Sequence, residues 1–123
     1  MNADQAPQCI SIHDVTDLEG IEPYSYLSIE AGAPPTTETI TRLGHEPNGY
    51  FWEGVVRWLQ GKGTVTEVGE PDPEGGAYIT RVALGGRAQL EALAAALAPY
   101  LIDDEAIAAL ITEADAAGFD FDD

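Results

Sequence analysis

Basic residues are scarce in this chain. Lysine and arginine together number 5 against 22 aspartates and glutamates in 123 residues, a formal net charge of −17. Five cations cannot build the stripe that tracks a phosphate backbone, so a nucleic-acid partner is not expected, and anionic membrane surfaces repel such a chain equally. Cysteine is almost missing: Cys9 is alone, which rules out an intramolecular disulfide and agrees with a reducing compartment. No apolar run approaches the roughly 20 residues of a membrane-spanning helix. The opening "MNADQAPQC" has neither the basic start nor the apolar centre of a secretory leader, so a cytoplasmic location is expected.

The motifs of common catalytic chemistries are missing too. There is no G-x-S-x-G elbow, no G-x-G-x-x-G after a strand and no Walker A lysine. "LGGRAQ" (Leu84 to Gln89) places two glycines and Arg87 at a helix start, where an anion could bind, but a tight strand-to-helix turn explains the same residues. Cys9 and His13 lie four apart on one strand-like segment, which does not imply convergence with the distant His45, so the three make a poor metal set. Glu70, Asp72 and Glu74 lie close together in "EPDPEGG", yet they lack the ligand order of a calcium loop, and Pro71 and Pro73 stiffen the backbone. A solvated turn is expected there. With so many carboxylates, no pair singles itself out for acid–base work. The expectation is a protein without cofactor or metal that is not an enzyme.

What the chain does have is a core: 45% of its residues are hydrophobic, enough for one domain of this length. "QCISIHDV" and "YSYLSIEA" alternate in the manner of strands, separated by the turn residues Asp17, Gly20 and Pro23. "GAPPTT" breaks regular structure, and "TETITRL" (Thr37 to Leu43), with its β-branched residues, reads as a weak third strand. Val65 to Val68 and Ala77 to Leu84 read as a hairpin joined by "GEPDPEGG". "GRAQLEALAAALAPYL" carries Leu90, Leu93, Leu97 and Leu101 on one helical stripe. "DDEAIAALITEADAAG" starts at Asp103 or Asp104 as cap, turns Ile107, Leu110, Ile111 and Ala114 inward, and stops at Gly118. The predicted class is α+β: a single domain over residues 1–123, with a largely antiparallel sheet of four or five strands packed by about three helices. Residues 1–7 and 119–123 are expected to be flexible ends.

The densest stretch is "HEPNGYFWEGVVRWLQGKG", which holds both tryptophans. Asn48 is a good N-cap and Gly61 a good terminator. Phe51, Trp52, Val55, Val56, Trp58 and Leu59 cover one wide face, with Glu53 and Arg57 opposite. A helix lying on a sheet accounts for this aromatic mass. A small-ligand enzyme whose pocket is built from Tyr50, Trp52 and His45 is the competing reading.

"GHEPNGYFWEGVVRWL", then "EPDPEGGAYITRV", then a leucine-rich helix and "LIDDEAIAALITEAD" resemble the Immunity protein 51 family of bacterial polymorphic toxin systems. The resemblance covers roughly Leu43 to Ala117. Its distinctive pieces are the NGY-x-W motif (Asn48, Gly49, Tyr50, Trp52) and the DPE-x-G turn (Asp72, Pro73, Glu74, Gly76). It implies an antidote that binds a cognate toxin protein and blocks it, with no catalytic residues. The charge agrees, since toxins that grip nucleic acid are basic and an acidic inhibitor associates with them quickly. In this reading the NGY-x-W residues are scaffold. Contacts would come from Glu70, Asp72 and Glu74 on the hairpin turn, from Asp103, Asp104 and Glu105 at the last helix start, and from Asp120, Asp122 and Asp123 in the tail. An acidic adaptor without a toxin partner, its charge set by a salt-adapted proteome, is the alternative.

Overall fold

Period-two alternation is satisfied only by a sheet with one buried face, and period 3.6 only by helices laid along it. The computed structural model describes residues 9–17, 19–65 and 69–121. They run in the order β1 (Ile10–Val15), β2 (Tyr24–Glu30), α1 (Thr37–Arg42), α2 (Gly49–Gly61), β3 (Glu70–Pro71), β4 (Ala77–Ala83), α3 (Arg87–Ile102) and α4 (Asp104–Ala116), with a 3-10 turn at Leu84–Gly86. The four strands form one antiparallel sheet in the order β1-β2-β4-β3, and the α+β class stands as expected.

On the inner face Ser25, Leu27 and Ile29 of β2 are buried beside Tyr78 and Thr80 of β4, under α2 and α3. Helix α2 is set by its own sequence. The Asn48 side chain accepts from the Phe51 N–H at 2.8 Å, satisfying a donor that the first turn would otherwise leave open. Phe51, Trp52, Val55, Val56 and Leu59 are buried, Trp58 lies half-buried at the edge of the face, and Glu53 and Arg57 meet on the outside at 4.0 Å. The Trp52 indole N–H is buried with no acceptor among the described residues, so this ring is there for its volume.

The expected leucine stripe of α3 and the apolar stripe of α4 are both buried. Helix α3 contains Pro99 and ends three residues later. There the Thr36 hydroxyl donates to the carbonyls of Tyr100 (2.9 Å) and Leu101 (3.3 Å), which the helix itself cannot satisfy. Asp103 caps α4, accepting from the Glu105 and Ala106 N–H groups, and Gly118 at φ 76° follows its last turn.

Two expectations are corrected. Thr37 to Leu43 is not a strand: Thr37–Arg42 is helix α1. Six residues are too few for propensity to decide. Packing decides instead, because the helix buries Thr39 and Ile40 against α4 while Thr39 Oγ1 donates to the Asp104 carboxylate at 2.6 Å. The arm of the hairpin is also displaced. Glu70 and Pro71, expected in the turn, pair with Arg81 and Thr80, while Val65 stands outside any strand and 66–68 lie outside the described residues. Within the tail, Phe121 is 1% exposed and packs on α2.

Burial also marks Tyr78. It pushes the phenol up to about 12, the Thr80 hydroxyl working against it and the nearby Glu53 charge with it. A raised value stabilises the fold fully below the ordinary tyrosine range and loses that contribution as the group ionises. Stability is therefore expected to fall by about 2 kcal/mol between roughly pH 10 and 12. Unfolding at successive alkaline pH values checks this, and Tyr78→Phe should flatten the fall.

Candidate protein-binding surface

The acidic residues singled out from the sequence are exposed wherever they are described. Glu70 lies on β3. Asp72 and Glu74 follow in the turn, which is fixed by backbone bonds from Asp72 N–H to the Ile79 carbonyl and from Glu74 N–H to the Ala77 carbonyl. Asp103, Asp104 and Glu105 stand at the start of α4. Of these, Asp103 is committed to its cap and Asp104 to Thr39. Both neighbourhoods are tied to the chain that follows β2: the Gly76 carbonyl accepts from the Ala31 N–H, and Asp104 accepts from Thr39 of α1. Asp120 is on the tail, where its carbonyl accepts from Arg57 at 3.2 Å. Asp122 and Asp123 lie outside the described residues.

The NGY-x-W residues divide. Asn48 caps, Trp52 is fully buried, and Tyr50 is 41% exposed on the other side. Gly49 donates to the Glu74 carbonyl at 3.0 Å, so the helix start is pinned to the hairpin turn. His45 turns its Nε2 between both oxygens of Asp115 at 3.1 Å and packs its ring on Phe51 and Phe121. Tyr50, Trp52 and His45 thus do not converge on a shared cavity. Cys9 is buried, which raises its thiol above the usual value, whereas His13 is exposed. Among the described residues, no group of three metal-ligating side chains gathers.

Arg87 of "LGGRAQ" is engaged within the fold. It meets Asp14 at 3.0 Å and Glu91 at 3.6 Å. Asp14 also accepts from the Ser25 hydroxyl at 2.7 Å, and these two partners, Ser25 first, hold its carboxyl below the usual carboxylate range. A lowered value stabilises the fold above the ordinary pKa and loses that contribution as pH falls through the depressed one. Asp14→Asn should therefore flatten the acid limb of the stability profile below about pH 4, measured by denaturant unfolding.

The feature that strand-by-strand reading passes over is the outer face of the sheet. Among the described residues, the face of β2 and β4 that is buried under the helices is the other one, and register brings His13, Tyr26, Arg81 and Glu70 into one row across the four strands. His13 stacks on Tyr26 with centroids 5.0 Å apart, Tyr24 lies 6.1 Å from Tyr26, and the Arg81 guanidinium sits 5.7 Å from the Tyr24 ring centre. Of the outward positions on the three long strands, Glu30 alone is acidic. Beside Tyr24 an open cleft of about 670 Å³ is walled by Glu22, Pro23, Glu70 and Arg81. Aromatic and arginine side chains inside an acidic frame are the composition of an interface core with its rim. The alternation placing Tyr24 and Tyr26 together was visible in sequence. Their juxtaposition with His13 and Arg81 depends on strand order, which it does not reveal.

No protein-family model matches the chain, and neither does any curated protein or solved structure at a significant level. Among the described residues, no helix is long and apolar enough to cross a membrane.

Proposed function

We propose that the chain is a protein-binding inhibitor that captures a basic protein and covers its active surface. In particular, we read it as an immunity protein that neutralises a cognate bacterial toxin domain, with a basic nuclease as the favoured class of target. The observation that carries this reading is the distribution of charge. Arg57, Lys62 and Arg87 are spent on Glu53, Glu113 and Asp14, and Arg81 lies over Tyr24, while the carboxylates of the hairpin turn and of the α4 start face solvent. A net charge of −17 with four of its five cations internally engaged draws a cationic partner at long range and repels nucleic acid and other copies of itself.

The test is protection of a sensitive host expressing the C-terminal domain of the protein encoded immediately upstream, with and without this chain. Rescue together with a stable complex is the expected result; toxicity that the chain leaves untouched defeats the reading. For the purified pair, reversing Glu70, Asp72 and Glu74 to lysine should slow association about tenfold at low salt and flatten its salt dependence. Unchanged association kinetics would remove the carboxylates from the mechanism.

A further inference from the structure

The acidic clusters explain how a basic partner is attracted, but not what holds it. Exposed carboxylates remain well hydrated, and rim charges act mainly on the association rate. The outer face of the sheet has what the clusters lack: half-buried tyrosines, rigid backbone beneath them, and few charges to strip of water. Resting on the inhibitor reading above, we infer that this face is the core of the partner interface, and that the cleft beside Tyr24 receives an arginine side chain of the partner.

The chemistry of the cleft selects that residue. Arg81 already lies over the Tyr24 ring, so a guanidinium is accepted at this site. Glu22 and Glu70 line the same cleft, leaving two carboxylates against one internal cation. A planar guanidinium can stack on an aromatic wall and present its fork to a carboxylate at once, which an ammonium cannot. Next to the cleft the stacked pair of His13 and Tyr26 extends the platform, offering flat area at little cost in side-chain entropy. A second copy of the chain is disfavoured as occupant because two bodies of charge −17 would have to meet. The same charge disfavours nucleic acid and anionic membranes. A protein surface rich in arginine is the occupant that the aromatic floor and the acidic frame fit together.

The test is residue-resolved NMR of the full chain, titrated at low salt with a hexa-arginine peptide, a hexa-lysine peptide and a hexa-glutamate control. The expected result is amide shifts centred on Tyr24, Tyr26 and Arg81, with the arginine peptide binding about fivefold more tightly than the lysine peptide. Tyr24→Ala should erase that preference, and the unsubstituted chain maps the face without relying on the variant. Shifts centred on Asp103 to Glu105, shifts spread over every acidic surface, or equal affinity for the two cationic peptides would overturn the inference. Failure of the inhibitor reading is distinguishable. It gives no protection in the host assay while the peptide still maps to the sheet, whereas protection with the peptide mapped elsewhere removes only this face.

Discussion

Gly49→Ala is expected to cost about 3 kcal/mol or more and to lower the melting temperature by roughly 10 °C. A Cβ at this position would stand 1.9 Å from the Ala77 carbonyl oxygen and 2.1 Å from that of Glu74. Both atoms are backbone, so no rotamer change relieves the contact. Relief requires lifting the start of α2 from the hairpin turn, which breaks the Gly49 N–H to Glu74 bond and loosens a turn already closed by Glu74 and Ala77. The Asn48 cap would shift with it. Gly61 supplies the control: at the far end of the same helix an added Cβ meets nothing within 4 Å, and Gly61→Ala should be neutral or stabilising by about 0.5 kcal/mol. Thermal melts of the two variants give the comparison. Equal melting temperatures would mean that the helix start does not depend on close approach.

The second large effect is expected at the tail. Phe121 is buried, stacks on Phe51 with centroids 5.0 Å apart, and meets the edges of His45 and Phe119. Phe119 in turn packs beside Trp58, with the Arg57 guanidinium over its ring. Deleting 119–123 uncovers these rings, and about 3 kcal/mol of stability should go with them. Gly54 tells whether docking is the cause. It lies inside α2, where alanine is worth roughly 1 kcal/mol more than glycine, but its missing Cβ is the space filled by Phe121: the ring would be 2.7 Å away and the Phe121 Cα 2.9 Å. Gly54→Ala should therefore destabilise the full chain and stabilise the truncated one. A double-mutant cycle reads the reversal directly. The same sign in both backgrounds would show that the tail does not rest on this glycine in solution.

The NGY-x-W stretch shows a cap and an apolar face in one dimension, since both are local and follow from the 3.6-residue period. It does not show that two of its glycines, Gly49 and Gly54, are fitted to a hairpin turn and to the tail, because both neighbours are distant in sequence. "FDFDD" was expected to be a flexible end for the same reason. Its alternation is real, but only the groove over Gly54 gives Phe121 somewhere to go. "TETITRL" misleads in the opposite sense. Its β-branched residues favour a strand, and a contact with α4 outweighs that preference.

By itself the sequence determined the α+β class, the apolar stripes of α2, α3 and α4, the caps of α2 and α4, and a net charge of −17. Each is a property of spacing or of composition, and each survives any arrangement of the elements. Strand order was left to the tertiary structure. Placing β4 between β2 and β3 sets Arg81 beside Tyr26 and Glu70, and burying the other face of β2 and β4 under the helices leaves His13, Tyr24 and Tyr26 turned outward together. Period two fixes which residues share a face of one strand, but it carries no information about which strand comes next. The acidic frame was therefore written in the composition, and the aromatic floor inside it was assembled only by folding.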